Sequence, residues 1–143
     1  METIFQLSNL LVVPFWFLMI LLPHWRWTKR IMASLWTVVP AALLYAILVL
    51  PNFLALLGEL ASPELASIAA LLGTPEGAMI GWIHFLAFDL FVGRWAYLDS
   101  REKGFTAWLV SPILFVVFMF GPLGLLLYLA MRALLLQRTA KTA

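Results

Sequence analysis

The sequence predicts an all-α integral membrane protein, a bundle of four membrane-spanning helices with a short interfacial amphipathic helix between the second and third spans. Two observations predict this class. The 143 residues are 64% hydrophobic and 11% charged, with a mean hydropathy of +1.01, whereas soluble domains are about half apolar and a quarter charged. The chain also contains four apolar stretches, each long enough for the roughly 20 residues that a helix needs to cross a bilayer.

The spans follow one another within a single predicted domain, 1–143. The first ends at Pro23. The sequence marks the start of the third span, with Thr74 as a side-chain N-cap and Pro75 at the first helical position. The predicted spans are about 4–22, 31–57, 75–98 and 111–136.

The three connections differ in character. Residues 24–30 are short, basic and rich in tryptophan, which is typical of a headgroup boundary, and 99–104 form a charged turn. The second connection is longer and acidic. Within it, Pro63 can open a helix and Gly73 can close one, and its apolar residues recur at helical spacing. We therefore predict an interfacial amphipathic helix over about 63–72.

Basic residues predict the orientation. Six of them lie in or beside the first and third connections, and the second connection has none. By the positive-inside rule, those two connections face the cytoplasm and both termini lie on the other side. Three basic residues of the C-terminal tail, Arg132, Arg138 and Lys141, oppose this assignment.

Composition excludes several classes of function. The chain has no cysteine, which removes disulfides, thiolate metal sites and iron–sulfur clusters. A dispersed net charge of +2 gives no reason to expect nucleic-acid binding. Two histidines are too few for a histidine-rich di-iron enzyme, and we predict no metal site and no required cofactor.

The third span is the first place to look for function, since it carries His84 and Asp89 near its centre. Ionisable groups at bilayer depth are costly and usually face a partner or a cavity. Five residues along a helix give a rotation of about 140° and a rise of about 7.5 Å, so the two side chains are not partners of each other. Each could also serve only as a helix–helix hydrogen bond.

Further candidates fall at the same depth. Tyr45 lies at the middle of the second span, and Gly121 and Pro122 interrupt the middle of the fourth, where the break could also be merely a kink. Aromatic residues line the third span, and they could be ordinary packing or the wall of a groove for a rod-shaped apolar ligand. These residues are Trp82, Phe85, Phe88, Phe91 and Trp95.

Two segments carry a family resemblance. The block WIHFLAFDLFVGR, residues 82–94, closely resembles the signature helix of the abscisic-acid-deficient-four-like membrane proteins, and FGPLGLLLY, residues 120–128, resembles that family's Pro-Gly element. The plant members are small four-helix chloroplast proteins required to form neoxanthin from violaxanthin. The resemblance therefore implies a carotenoid-linked protein of a thylakoid or bacterial inner membrane, similar to the bacterial and cyanobacterial members.

The implied chemistry is an isomerisation of a carotenoid epoxide to an allene, which needs an acid, a base and no redox cofactor. A carboxyl group out of water tends to be neutral, so Asp89 could be the acid and His84 the base. The polar rings of a xanthophyll normally lie at the headgroups, far from mid-membrane. Residues at the interface could therefore provide the acid and the base instead. These residues are Asp99, Arg101, Glu102 and Lys103.

Two other classes stay open. The chain could be a non-catalytic pigment-binding or assembly subunit of a photosynthetic membrane complex, with a bound carotenoid and with His84 as a chlorophyll ligand. It could also be a proton- or solute-conducting oligomer built around Asp89. The expected partners are membrane lipids, a carotenoid, and another membrane protein or a second copy of the chain.

Overall fold

The computed structural model describes the backbone of residues 1–142 and the side chains of residues 1–138, so the side chain of Lys141 lies outside the described residues. The described residues form helices and connections, with no strand among them. Four helical stretches are long and apolar enough to cross a membrane: Glu2–Leu21, Val39–Ala61, Pro75–Glu102 and Ala107–Arg138. The predicted all-α class with four apolar helical stretches is confirmed.

Seven helices make up these stretches and their connections. Two single 3₁₀ turns, Leu35–Thr37 and Leu50–Asn52, lie before and after the third helix. The helices are α1 (Glu2–Leu21), α2 (Arg26–Ala33), α3 (Val39–Val49), α4 (Phe53–Ala61), α5 (Leu65–Leu72), α6 (Pro75–Glu102) and α7 (Ala107–Thr142).

The structure differs from the prediction around the first connection. The basic segment expected as a loop over 24–30 is largely the helix α2, and the span expected from residue 31 begins at Val39. The Ser34 hydroxyl accepts a hydrogen bond from the Trp36 N–H at 3.2 Å, and the Thr37 hydroxyl donates to the Ser34 carbonyl at 3.0 Å. These local bonds compete with helical ones and end α2.

The second connection follows the predicted pattern. The helix α5 fills most of the range 63–72 and ends at Gly73. The Thr74 hydroxyl oxygen accepts a hydrogen bond from the Gly77 N–H at 3.0 Å, and the hydroxyl donates to the Leu71 carbonyl at 2.8 Å. Thr74 therefore caps α6, and Pro75 is its first residue.

The residues group into two compact units, the first holding 1–13 and 38–87 and the second holding 14–37 and everything from Phe88 on. In the first unit the Trp82 Nε1 donates to the Asn9 Oδ1 at 3.0 Å. In the second unit Trp16 lies where a Cβ at Gly93 would be, so this glycine admits the indole ring. That residues 1–143 form a single domain stays a prediction.

Within the second unit, α7 reverses its direction at Phe120 and Gly121. Phe120 has φ −139° and ψ 29°, and Gly121 has φ 20° and ψ −84°, which are not helical values. A Cβ at Gly124 would overlap the backbone of Val117. Residues seven apart in a continuous helix are separated by about 10 Å along its axis, so this approach requires the chain to fold back.

The arm after the reversal runs parallel to α6. The Asp89 carboxylate lies against Gly121, the ring of Trp95 is 5.4 Å from that of Tyr128, and Asp99 binds Arg132 at 2.9 Å. From one contact to the next, the residue number rises along both helices. An antiparallel pair would show the opposite trend.

Candidate functional site

The first unit contains an apolar cavity of about 480 Å³. Residues of α3, α4, α5 and α6 line it, and Tyr45 and His84 carry the only polar side chains among them. Gly77, Gly81 and His84 recur on one face of α6, so two positions without side chains precede the imidazole. A Cβ at Gly77 would overlap the Leu71 carbonyl, and one at Gly81 would crowd the Leu72 side chain, so these glycines let α5 pack closely against α6 beside the imidazole.

The two polar rings of the cavity touch. The His84 imidazole and the Tyr45 phenol ring have centroids 5.4 Å apart at 60°, an edge-on contact, and Phe85 follows at 6.1 Å. Tyr45 is half-buried, whereas His84 is exposed and reachable from the open side of the cavity. The arrangement places an imidazole and a hydroxyl group in otherwise apolar surroundings.

The aromatic residues predicted on α6 divide between different surroundings. Phe85 lines the cavity with His84 and Tyr45. Trp82 instead binds Asn9 and packs on Phe5 at 5.8 Å. The remaining three belong to the second unit, where Trp95 packs against Tyr128 while Phe88 and Phe91 are exposed.

Asp89 lies in the second unit, with its carboxylate directly against Gly121. Pro122 follows at the start of the returning arm of α7, a position where proline is favoured because its missing N–H would have no partner. The first turn of a helix is positively polarised and favours a nearby carboxylate. Asp89 therefore supports the chain reversal, a geometry that the sequence alone did not reveal.

A second polar cluster joins α6 to the returning arm of α7. Asp99 is 11% exposed, receives the Tyr128 hydroxyl at 2.6 Å and the Arg132 Nε at 2.9 Å, and pairs with the Lys103 Nζ at 3.0 Å. Sequence reasoning placed Asp99 in a turn and Arg132 at the opposite membrane face. It missed this pairing because only the reversal at Gly121 brings the two residues together.

The second unit also contains an apolar cavity of about 760 Å³, lined by residues from 20 to 24 and from 107 to 116. His24, Trp108 and Ser111 contribute its polar atoms. Among the residues that the structure describes, no three His, Asp or Glu side chains gather as a metal site would need.

Comparisons with known proteins agree on one family. The model of the ABA DEFICIENT 4-like family matches residues 3–128. The chain is similar to Protein ABA DEFICIENT 4, chloroplastic, of Arabidopsis thaliana, with 30% identity over 108 residues, 71% of this chain and 49% of the relative. It thus spans about half the length of that relative, and no solved structure matches it. Since the family model covers most of the chain, the protein is a member of the ABA DEFICIENT 4-like family.

Proposed function

We propose that the protein acts on a carotenoid, and that the cavity at His84 and Tyr45 holds an end ring of this ligand. Family membership supports a carotenoid-linked role. The cavity is the observation that carries the proposal, because apolar walls with a few polar groups are typical of sites for hydrophobic small molecules. Its volume of about 480 Å³ is within the usual range for such sites.

The proposed reaction converts a 5,6-epoxide on the ring into an allene. A base removes the proton from the chain carbon next to the ring, and the electrons of that C–H bond form the second double bond of the allene. The bond between the epoxide oxygen and the ring carbon bearing the chain breaks. An acid supplies a proton to this oxygen, so the product is an isomer of the substrate and no oxidant or reductant is consumed.

His84 is the proposed base of this reaction. Its imidazole is exposed toward the cavity, and a neutral imidazole can take a proton from a ligand held there. The Tyr45 hydroxyl is available to orient the epoxide oxygen or a ring hydroxyl. Asp89, predicted as the acid from its depth and residue type, is not among the residues that line this cavity, so its role as the acid stays a prediction.

Turnover in a reconstituted membrane tests this proposal. With violaxanthin as substrate, we expect His84→Ala to lower the rate of allene formation by about 100-fold or more, the usual contribution of a general base. His24→Ala is the matched control, since His24 does not line this cavity, and it should leave the rate near that of the wild type. Near-normal turnover by His84→Ala would refute the assignment of the base.

Asp89→Asn separates the two roles of Asp89 in the same assay. A catalytic acid should lose turnover while the thermal unfolding midpoint stays close to the wild-type value. A residue that only supports the reversal should instead lower that midpoint, with turnover falling in proportion to the loss of folded protein.

A non-catalytic pigment-binding role is the second candidate. The exposed imidazole of His84 beside an apolar cavity would also suit a ligand to the magnesium of a chlorophyll. The absorption spectrum of the purified protein distinguishes the two candidates. Stoichiometric chlorophyll would favour binding, whereas pigment-free protein that converts the epoxide would favour catalysis.

A further inference from the structure

The two arms of α7 are both short for a membrane span. Residues 107–119 rise about 20 Å and residues 122–138 about 25 Å as helices, whereas the hydrocarbon core is about 30 Å thick. The reversal between them lies against Asp89, near the middle of α6. A segment with arms of this length that turns back beside the middle of α6 would enter and leave the membrane on the same face.

Two glycines of the reversal are buried, which suits a turn within the membrane. Non-helical backbone at membrane depth is tolerated where it is buried in protein. Gly121 and Gly124 are buried, the first beneath the Asp89 carboxylate and the second against Val117. At these two glycines the chain is covered by protein, whereas Phe120 and Leu123 beside them are exposed.

The returning arm carries its cations back to the end of α6. Asp99, in the last turn of α6, binds both Arg132 of this arm and Lys103 of the connection. The Arg101 guanidinium donates to the Phe105 carbonyl at the same end. Arg132, which the sequence placed at the opposite face, is thus at the same end of α6 as Lys103.

The helix α2 is held at this end too. The Tyr97 hydroxyl donates at 2.9 Å to the carbonyl of Pro23, which lies three residues before α2. Arg94 donates at 2.9 Å to the carbonyl of Ala33, the last residue of α2. The second unit thus contains all of the lysines and arginines whose side chains are described. They are Arg26, Lys29, Arg30, Arg94, Arg101, Lys103, Arg132 and Arg138.

The exposed face of α2 concentrates positive charge. Arg26 and Arg30 both lie over the ring of Trp27, at 5.5 and 5.3 Å from its centroid. Lys29 and both arginines are exposed. Like charges exposed on one short helix repel each other, so an anionic ligand beside them is favoured, and a tryptophan among them is typical of the headgroup layer.

We propose that α7 is a re-entrant hairpin, that the C-terminus lies on the same membrane face as α2, and that the cations gathered there form one surface for acidic phospholipid headgroups. In this arrangement Arg132 and Arg138 no longer oppose the positive-inside rule, because every described lysine and arginine then lies on the membrane face of α2. It also revises the sequence-based expectation that both termini share a side.

Side-specific labelling tests the topology, and the absence of cysteine from the chain makes single-cysteine variants straightforward. Gln137→Cys reports the tail, Glu102→Cys the end of α6, and Glu64→Cys the second connection, all at exposed positions. In sealed vesicles of each orientation, an impermeant maleimide should label Gln137→Cys together with Glu102→Cys. Labelling of Gln137→Cys together with Glu64→Cys would overturn the hairpin.

Lipid dependence tests the surface. We expect the unfolding midpoint to rise by a few degrees when nanodiscs of phosphatidylcholine are replaced by equal parts of phosphatidylcholine and phosphatidylglycerol. The variant Lys29→Gln/Arg30→Gln should lose most of this rise, and the matched control Glu59→Gln/Glu64→Gln should keep it. Equal rises in the two variants, or no rise in the wild type, would refute the lipid surface.

Discussion

Alanine at Gly124 is expected to lower the free energy of unfolding by about 3 kcal/mol, the upper part of the range for overpacked positions. A Cβ at this position would overlap the backbone nitrogen and Cα of Val117. A side chain can rotate away from such a clash, but a backbone cannot. The two arms of α7 would therefore have to separate along the hairpin, and thermal or denaturant unfolding in nanodiscs measures the loss.

Gly58→Ala is the matched control for this substitution. Gly58 lies within α4, and a Cβ there would meet no atom within 4 Å. Alanine is favoured over glycine inside a helix by about 1 kcal/mol, so this variant should be as stable as the wild type or slightly more stable. If Gly124→Ala proved equally harmless, the close approach to Val117, and the reversal with it, would be wrong.

Sequence patterns predicted the features of the fold that depend on neighbouring residues. The apolar lengths of the four stretches and the cap formed by Thr74 and Pro75 are local, and the structure has them. The start of the second span was harder to predict from the sequence. Ile31 and Met32 continue an apolar run, whereas the hydrogen bonds of Ser34 that end α2 depend on one side-chain conformation.

The reversal at Gly121 lay beyond local reasoning. A Gly-Pro pair is compatible with a mild kink as well as with a complete turn, and only the contacts of Gly124 and Asp89 decide between them. A mild kink predicts Arg132 at the membrane face opposite Asp99, whereas the two residues form an ion pair. Their pairing could not be foreseen from a spacing of more than thirty residues.

Part of the candidate site could be predicted from the depth of its residues in the membrane. Counting along the helices put Tyr45 and His84 at one level, and their rings are 5.4 Å apart in the structure. The depth of a residue in the membrane does not, however, give the direction in which its side chain points. The sequence predicts Trp82 as a ligand-binding residue, but its indole N–H donates to Asn9, and no periodic signal in the sequence indicates that contact.

Asp99→Ala is expected to destabilise the protein by about 3 kcal/mol, the upper range for a hydrogen bond to a charged group. Tyr128 is fully buried and donates its hydroxyl to Asp99 at 2.6 Å. Removing the carboxylate leaves this hydroxyl without its acceptor, and it also releases Lys103 and Arg132. Glu102→Ala, an exposed acidic residue in the same turn, should change stability by no more than about 0.5 kcal/mol.

A double-mutant cycle with Tyr128→Phe shows where the loss arises. Phenylalanine keeps the ring contact with Trp95 and removes only the hydroxyl, so it should cost less than Asp99→Ala. The two effects should not add, because the second substitution finds the hydrogen bond already absent. Additive effects would mean that the carboxylate acts through the cations of α7 and the third connection, and that the tyrosine hydroxyl contributes little to holding the returning arm on α6.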